Sequence, residues 1–295
     1  MPELPEVETT KTSLTPLIGS NVIRLQAYQP KLRWQMPADL SQLTQHRLTA
    51  IHRRAKYLLL DFNGQHPRSL IVHLGMSGSL QQHPQGFDKR KHDHLIIDFI
   101  NTKGQITQLH YHDPRRFGAV LWAKDYQHKL LDHLGVEPLS DDFTAQYLHT
   151  HIHRLNHTDD GTQTTQPTLK TPIKRAIKSV IMEQTLVVGV GNIYATESLF
   201  LAGIHPATPA YLLSLAQLET LVSHIKTILA QAIAKGGSSL RDFTVANGVT
   251  GYFQQTLLAY GRENQPCPTC AKPLSKQKIN GRASVYCSNC QPLYG

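Results

Sequence analysis

The spacing of apolar residues changes character once along this chain, near residue 125, and that change restricts the fold more than any other feature of the sequence. Before it, residues 22–28, 57–62, 69–74, 94–100, 106–112 and 119–122 form short runs, rich in branched and aromatic side chains, that alternate or are continuously apolar. Turn signals such as Asn63-Gly64 and Lys103-Gly104 separate them. Six or more short strands with no helical pattern between them predict an antiparallel sandwich or barrel. After the change the period is helical. Leu215, Leu218, Leu221, Val222, Ile225, Ile228, Leu229, Ala232 and Ile233 fall largely along one stripe of a helix that ends at Gly236-Gly237.

Residues 5–18 read as a short helix in front of the strands. Glu3, Glu6 and Glu8 sit where the helix dipole favours acids, and Pro16 disturbs the last turn before Gly19. The first residues lack the basic start and apolar core of a secretory signal, and no apolar run is long enough for a bilayer, so a cytoplasmic protein with no membrane partner is expected. Residues 156–167, rich in Thr, Gln, Asp and Gly without apolar periodicity, read as a loop or linker. With 295 residues the chain can hold more than one core. The boundaries drawn are 1–135 for the helix and strands, 136–260 for a helical domain and 261–295 for a C-terminal module.

All four cysteines lie in that module. Cys267-x2-Cys270 and Cys287-x2-Cys290, sixteen residues apart, let four thiolates converge on one Zn2+. No base or open ligand position accompanies them, so the zinc is expected to be structural. Between the pairs, Asn280-Gly281 reads as a two-residue type I′ hairpin turn, which sets Arg282 at the tip of a metal-braced finger.

A formal charge of +9 and a pI near 9.4 favour a polyanionic partner, nucleic acid or anionic membrane. The basic residues cluster at Lys170, Lys174, Arg175 and Lys178, and again in an acid-poor C-terminal tail, as a docking surface would require. Seventeen histidines raise the question of a second metal. On a helix, i and i+2 positions diverge, so His149, His151 and His153 cannot share a face, and no second catalytic metal is expected.

Seven segments, spread in order over nearly the whole chain, carry a resemblance. They are Pro2-Glu3-Leu4-Pro5-Glu6, Arg53-Arg54-Ala55-Lys56-Tyr57, His73-Leu74-Gly75-Met76-Ser77-Gly78, Lys91-His92-Asp93-His94, Asp113-Pro114-Arg115-Arg116-Phe117-Gly118, Gly189-Val190-Gly191-Asn192-Ile193-Tyr194, and Gly281-Arg282 with Tyr286-Cys287. Together they closely resemble the formamidopyrimidine-DNA glycosylase family of bacterial repair enzymes.

The resemblance implies an α+β protein: an N-terminal antiparallel β-sandwich with an N-terminal helix, a helical domain with a helix–two-turn–helix, and a zinc finger. It implies a monomer acting on double-stranded DNA that contains oxidised purines or abasic sites, with one structural Zn2+ as cofactor. The activity implied is bifunctional: excision of 8-oxoguanine and formamidopyrimidines through a Schiff base on Pro2, then β,δ-elimination at the abasic site.

Pro2 is implied as nucleophile after removal of Met1. An α-amino group titrates near about 8, against about 10.4 for a lysine, so a useful fraction is unprotonated at neutral pH. Glu3 is implied as general acid or base, with Glu6 a secondary candidate. Lys56 and Arg282 are implied as catalytic phosphate contacts in the two eliminations. Met76, Arg115 and Phe117 would fill the gap left by the extruded nucleotide, and His73, His92, Lys174, Asn192 and Tyr260 would hold the DNA backbone. Residues 238–253 would cover the damaged base.

Two departures from the family pattern stand out: a longer stretch around 156–171, and Thr185 where lysine is frequent. Two rival readings stay open. The endonuclease VIII branch shares the proline chemistry but takes oxidised pyrimidines, and a non-catalytic zinc-ribbon DNA-binding protein would need only the charge and the cysteines.

Overall fold

A computed structural model describes residues 2–66, 68–123, 128–157, 163–167, 171–237 and 257–294. The chain divides into two compact units, residues 1–133 with 232–255 and residues 134–231 with 256–295.

The first unit opens with helix α1 (Leu4–Leu14). Glu3 is its N-cap, and the capping box is complete: Glu6 accepts the Glu3 N–H at 2.8 Å while the Glu3 carboxylate accepts from the third residue of the helix. The α-helix stops at Leu14, and Pro16 sits inside a 3-10 turn over Thr15–Leu17, the disturbance expected of it.

Eight antiparallel strands follow: β1 (Asn21–Ala27), β2 (Arg47–Arg54), β3 (Tyr57–Asn63), β4 (Arg68–His73), β5 (Ser79–Pro84), β6 (Asp93–Ile100), β7 (Ile106–His112) and β8 (Ala119–Ala123). Their spatial order is β5-β7-β6-β1-β2-β3-β4-β8. The middle of that row is nearly broken, because β1 and β2 are paired at Asn21↔Arg47 alone. Two four-stranded halves therefore share one core. Leu48, Leu58, Leu60, Phe62, Leu70 and Val72 come from one half and Val22, Leu80, Leu95, Ile97, Phe99 and Leu109 from the other, with Val7 and Leu14 of α1 packed in the same cluster. This is the sandwich expected from the sequence.

Two strands are not legible in the periodicity. A β-bulge between Leu48 and Ala50 breaks the alternation of β2, and β5 runs out in polar residues from Gln81 onward.

The second unit contains α2 (Ala145–His153), β9 (Leu155–His157), β10 (Gln163–Pro167), α3 (Ile177–Ile181), α4 (Asn192–Leu201), most of α5 (Leu215–Ala234), β11 (Ser275–Ile279) and β12 (Arg282–Tyr286). Thr144 caps α2 by accepting the Tyr147 N–H at 3.0 Å. Where the sequence reads as a linker, β9 and β10 pair antiparallel. The α5 stripe is buried as its spacing predicts, at Leu218, Leu221, Val222, Ile225, Ile228, Leu229 and Ala232. Gly236 and Gly237 then take φ of +77° and +78°, which ends the helix.

Candidate active site

Pro2 is buried at the entrance to α1, next to the capped Glu3. Reciprocal capping makes this end of the chain part of a rigid element. Gly237 packs against it closely: a Cβ added there would lie 3.2 Å from the Glu6 carboxylate.

Lys56 lies in the two-residue turn that joins β2 to β3, directly before Tyr57. Ala55 turns the chain with φ +54°, and Lys56 is 7% exposed. Arg53 ties this turn to α1, since its Nε donates to Glu8 at 2.6 Å and its Nη1 to the Ala55 carbonyl at 3.0 Å. The helix that carries Pro2 and the turn that carries Lys56 are thus held by one guanidinium.

His73 closes β4 with its ring 4.8 Å from that of Tyr57. Burial, then the Lys56 ammonium and the Arg33 guanidinium, push its pKa down to about 4. The ring is neutral at neutral pH. Its Nδ1 accepts the Gly75 N–H at 3.1 Å, which leaves Nε2 as the hydrogen-bearing nitrogen, a neutral donor suited to a phosphate oxygen.

The three residues expected to act as wedges are brought to adjoining loops. Gly75, at φ +66°, lies so close to the opposite loop that a Cβ would stand 2.5 Å from the Phe117 carbonyl carbon and from the Gly118 nitrogen. At Gly118 a Cβ would meet the Tyr111 hydroxyl at 1.7 Å, so both glycines are obligatory for this approach. Met76 and Phe117 remain 37% and 44% exposed, large apolar side chains held outward, and the Arg115 guanidinium stands 4.9 Å over the Phe117 ring.

What sets these loops is Asp113, the first residue of the Asp113–Gly118 segment. Asp113 is fully buried and accepts from Ser77 Oγ at 2.8 Å, the Gly118 N–H at 2.9 Å and the Arg115 N–H at 3.3 Å. Its carbonyl faces His94 Nε2 at 2.8 Å. Tyr111, kept protonated by burial and by the Asp113 charge, donates to the His73 carbonyl at 3.1 Å. An Asp before a proline reads as a turn residue, so nothing in the sequence marks it as the hub of two loops.

His92 is half-buried, with its ring 5.9 Å from His112 and 6.4 Å from His94. The next residue, Asp93, is buried in a box of donors. His110 Nδ1 stands at 2.9 Å, His112 Nδ1 at 2.8 Å, and Arg90 contributes its N–H, Nε and Nη2. Burial would raise the carboxyl, yet these partners hold it well below the usual carboxylate range.

In the second unit, Gly189 takes φ +80° between α3 and α4, and its N–H is bonded to Gln184 Oε1 at 2.8 Å, so the sharp turn is braced from inside. Asn192 is the first residue of α4, after an N-cap glycine, and is half-buried. One turn on, Glu197 is fully buried and accepts the N–H groups of Leu258 at 2.7 Å, Ala259 at 2.9 Å and Tyr260 at 2.6 Å. The helix that begins at Asn192 therefore also fixes the segment that presents Tyr260.

Lys174 is exposed, as a phosphate contact needs to be, and Lys170 lies outside the described residues. Lys178 departs from expectation. Grouped by sequence with the exposed basic cluster, it is 1% exposed, and its Nζ donates to Thr196 Oγ1 and Ser284 Oγ at 2.8 Å and to the Ala283 carbonyl at 3.2 Å. It joins α3, α4 and β12.

The finger has the expected form. β11 and β12 pair with Ile279 opposite Arg282, and Asn280 and Gly281 take φ of +45° and +76°, the pattern of a type I′ turn. Arg282 is exposed at the tip.

The four cysteine sulfurs lie within 4.8 Å of one another, with Cys267 and Cys290 at 3.9 Å and Cys270 and Cys287 at 3.4 Å. Four sulfurs about 2.3 Å from one zinc stand roughly 3.8 Å apart, so the donor set fits the ion. The same spacing is too long for disulfides. The buried Phe200 of α4 packs with Leu274, Val285, Cys267 and Cys287, which fastens the finger to the helix. These cysteines hold one structural zinc.

The 238–253 segment, expected to cover the damaged base, lies outside the described residues. Among the described residues no helix is long and apolar enough to cross a membrane.

Comparison with known proteins adds an independent finding. Residues 1–120 match the formamidopyrimidine-DNA glycosylase N-terminal domain, residues 134–244 the formamidopyrimidine-DNA glycosylase H2TH domain, and residues 264–293 a zinc finger found in FPG and IleRS. A formamidopyrimidine-DNA glycosylase of Psychrobacter arcticus is 60% identical over 99% of both chains. Among solved structures, Lactococcus lactis Fpg (MutM) in complex with DNA containing N7-benzyl-Fapy-dG is 32% identical with a TM-score of 0.84, covering 99% of this chain and 100% of that one. Its complex with DNA containing an abasic site gives 0.83 at 32% identity, over 98% and 99%.

Proposed function

The chain belongs to the formamidopyrimidine-DNA glycosylase family, and from that premise we propose that it is a bifunctional DNA glycosylase and abasic-site lyase that excises 8-oxoguanine and formamidopyrimidines from duplex DNA. The observation that carries this reading is the N-terminus itself. Pro2 is buried against a capped helix, with Glu3 beside it and the Lys56 turn tied to the same helix through Arg53.

With Met1 removed, Pro2 is a secondary amine whose lone pair attacks C1′ of the damaged nucleotide. The N-glycosidic bond breaks as the C1′–N bond forms, and the base leaves with the bonding pair and a proton. Opening of the sugar ring, with a proton delivered by Glu3, yields an iminium ion. That cation accepts the electrons released when the C2′ proton is removed, so the C3′–O bond breaks, and a second elimination breaks the C5′–O bond. Lys56 and Arg282 balance charge on the departing phosphates. Hydrolysis of the iminium ion returns Pro2.

Extruding a nucleotide costs a few kcal/mol and leaves a gap in the stack. Outward-held Met76 and Phe117 fill it, with Arg115 donating to the orphaned base, and insertion of such wedges bends the duplex. Neutral His73, His92, Lys174, Asn192, Tyr260 and Arg282 hold the backbone.

Incubation with an 8-oxoguanine:C duplex in borohydride is expected to trap the protein covalently on DNA, and a Pro2→Gly protein is expected to trap far less. Excision without any reducible adduct, or undiminished trapping by Pro2→Gly, overturns the mechanism. Faster cutting of thymine glycol than of 8-oxoguanine overturns the purine preference.

A further inference from the structure

On the outer face of the sheet half that contains β5 and β7, three buried polar atoms have no hydrogen-bond partner: His83 Nε2, Gln108 Oε1 and His110 Nε2. They lie together. His83 is the cross-strand partner of Gln108, and His110 is two residues further along the same strand and so on the same face. The His83 and His110 ring centroids are 4.8 Å apart. Buried polar atoms are normally satisfied, so three orphans in one patch require an explanation.

The chemistry of the patch is one-sided. His110 Nδ1 is 2.9 Å from the Asp93 carboxylate and donates to it, which turns Nε2 toward the patch. Gln108 Nε2 donates to Asp98 at 2.9 Å, which fixes its amide so that Oε1 faces the patch as an acceptor. Gln108 Oε1 is an acceptor, and His110 Nε2 can serve as one because Nδ1 already donates to Asp93, so the patch suits a donor or a cation. Phe87 stacks on His83 at 3.7 Å, with its ring 5.6 Å from that of His110.

We propose that His83, His110 and Gln108 form a second metal site, distinct from the cysteine site, for a divalent first-row transition ion such as Zn2+. Imidazole nitrogens select ions of this class over Mg2+ or Ca2+. Two imidazoles at about 2.0–2.1 Å from one ion put their ring centroids roughly 5 Å apart, close to the spacing found. Asp93 behind His110 makes the carboxylate–histidine–metal arrangement that orients a ligand and raises its basicity. The ion would clamp the connection between β5 and β6, which carries Phe87 and ends at His92. This assignment stands independently of the proline mechanism.

The test is metal stoichiometry of the intact protein already carrying its finger zinc, dialysed against micromolar free Zn2+. Two zincs per chain are expected for the wild type and one for His83→Phe and for His110→Leu, with Asp93→Asn binding the second zinc about 10–100-fold more weakly. Zinc should also shift the Nε2 resonances of His83 and His110 in histidine-labelled wild-type protein, a readout that survives if a variant fails to fold. A stoichiometry that stays at one overturns the proposal and leaves the patch to a buried water. So does a second zinc retained in His83→Phe, or one that shifts His149 and His153, whose rings lie 4.3 Å apart on α2.

Discussion

The Ser77 hydroxyl donates to the buried Asp113 carboxylate at 2.8 Å, a bond between the loop of Met76 and the loop of Arg115 and Phe117. Asp113→Ala leaves the Ser77 hydroxyl and the Gly118 N–H without an acceptor, at about 1–3 kcal/mol for each unsatisfied buried group. A loss of about 2–6 kcal/mol in urea unfolding is expected, with a smaller loss for Asp113→Asn, which keeps one oxygen. Excision should fall more than binding to undamaged duplex. A stability loss below about 1 kcal/mol would remove Asp113 from this role.

Glu197 gathers three backbone N–H groups between Leu258 and Tyr260, an arrangement only a carboxylate satisfies fully. Glu197→Gln turns an amide N–H toward one of them. Hydrogen bonds to charged groups contribute about 1.5–3 kcal/mol, so that segment should open more readily, with faster amide exchange at residues 258–260. Unchanged exchange there would show that packing alone fixes the loop.

Protonation of His73 is disfavoured by the fold: its pKa is pushed down to about 4, from about 6.5 in a free chain. Between those values the unfolded chain binds the proton and the folded one does not, so stability rises with pH. The contribution is complete above about 6.5 and is lost as pH falls toward 4. His83 and His94 shift in the same direction, so the wild-type slope is a sum. Urea midpoints from pH 7.5 to 4 should decline less steeply for His73→Gln than for the wild type. Parallel curves would contradict the buried, neutral state of this ring.

Removing zinc should dismantle the finger before the sandwich. Titration with a thiol-specific mercurial is expected to release one zinc as four thiols react, matching the four-cysteine set. Duplex affinity should fall with it, because Arg282 then loses its rigid hairpin. Cys287→Ser should reproduce the loss while α1 and the strands retain their circular dichroism. Full affinity in zinc-free protein would place the finger outside the DNA contact.

The sequence by itself determined the change from strands to helices, an N-terminal helix with acids at its start, the α5 stripe, the Asn280-Gly281 turn and the cysteine site. These depend on neighbours a few residues apart or on paired spacings, and local rules reach that far. Tertiary structure decided what depends on partners distant in the chain. Asp113 became a hub because β7, the Met76 loop and Gly118 converge on it. Lys178 went inside because Thr196 and Ser284 were there to accept from it, although its charge alone assigns it to the surface. Strand β2 was hidden by its bulge. A carboxylate or an ammonium carries the same charge wherever it stands in a sequence, and only the groups folded around it settle whether it meets solvent, a phosphate or a buried donor.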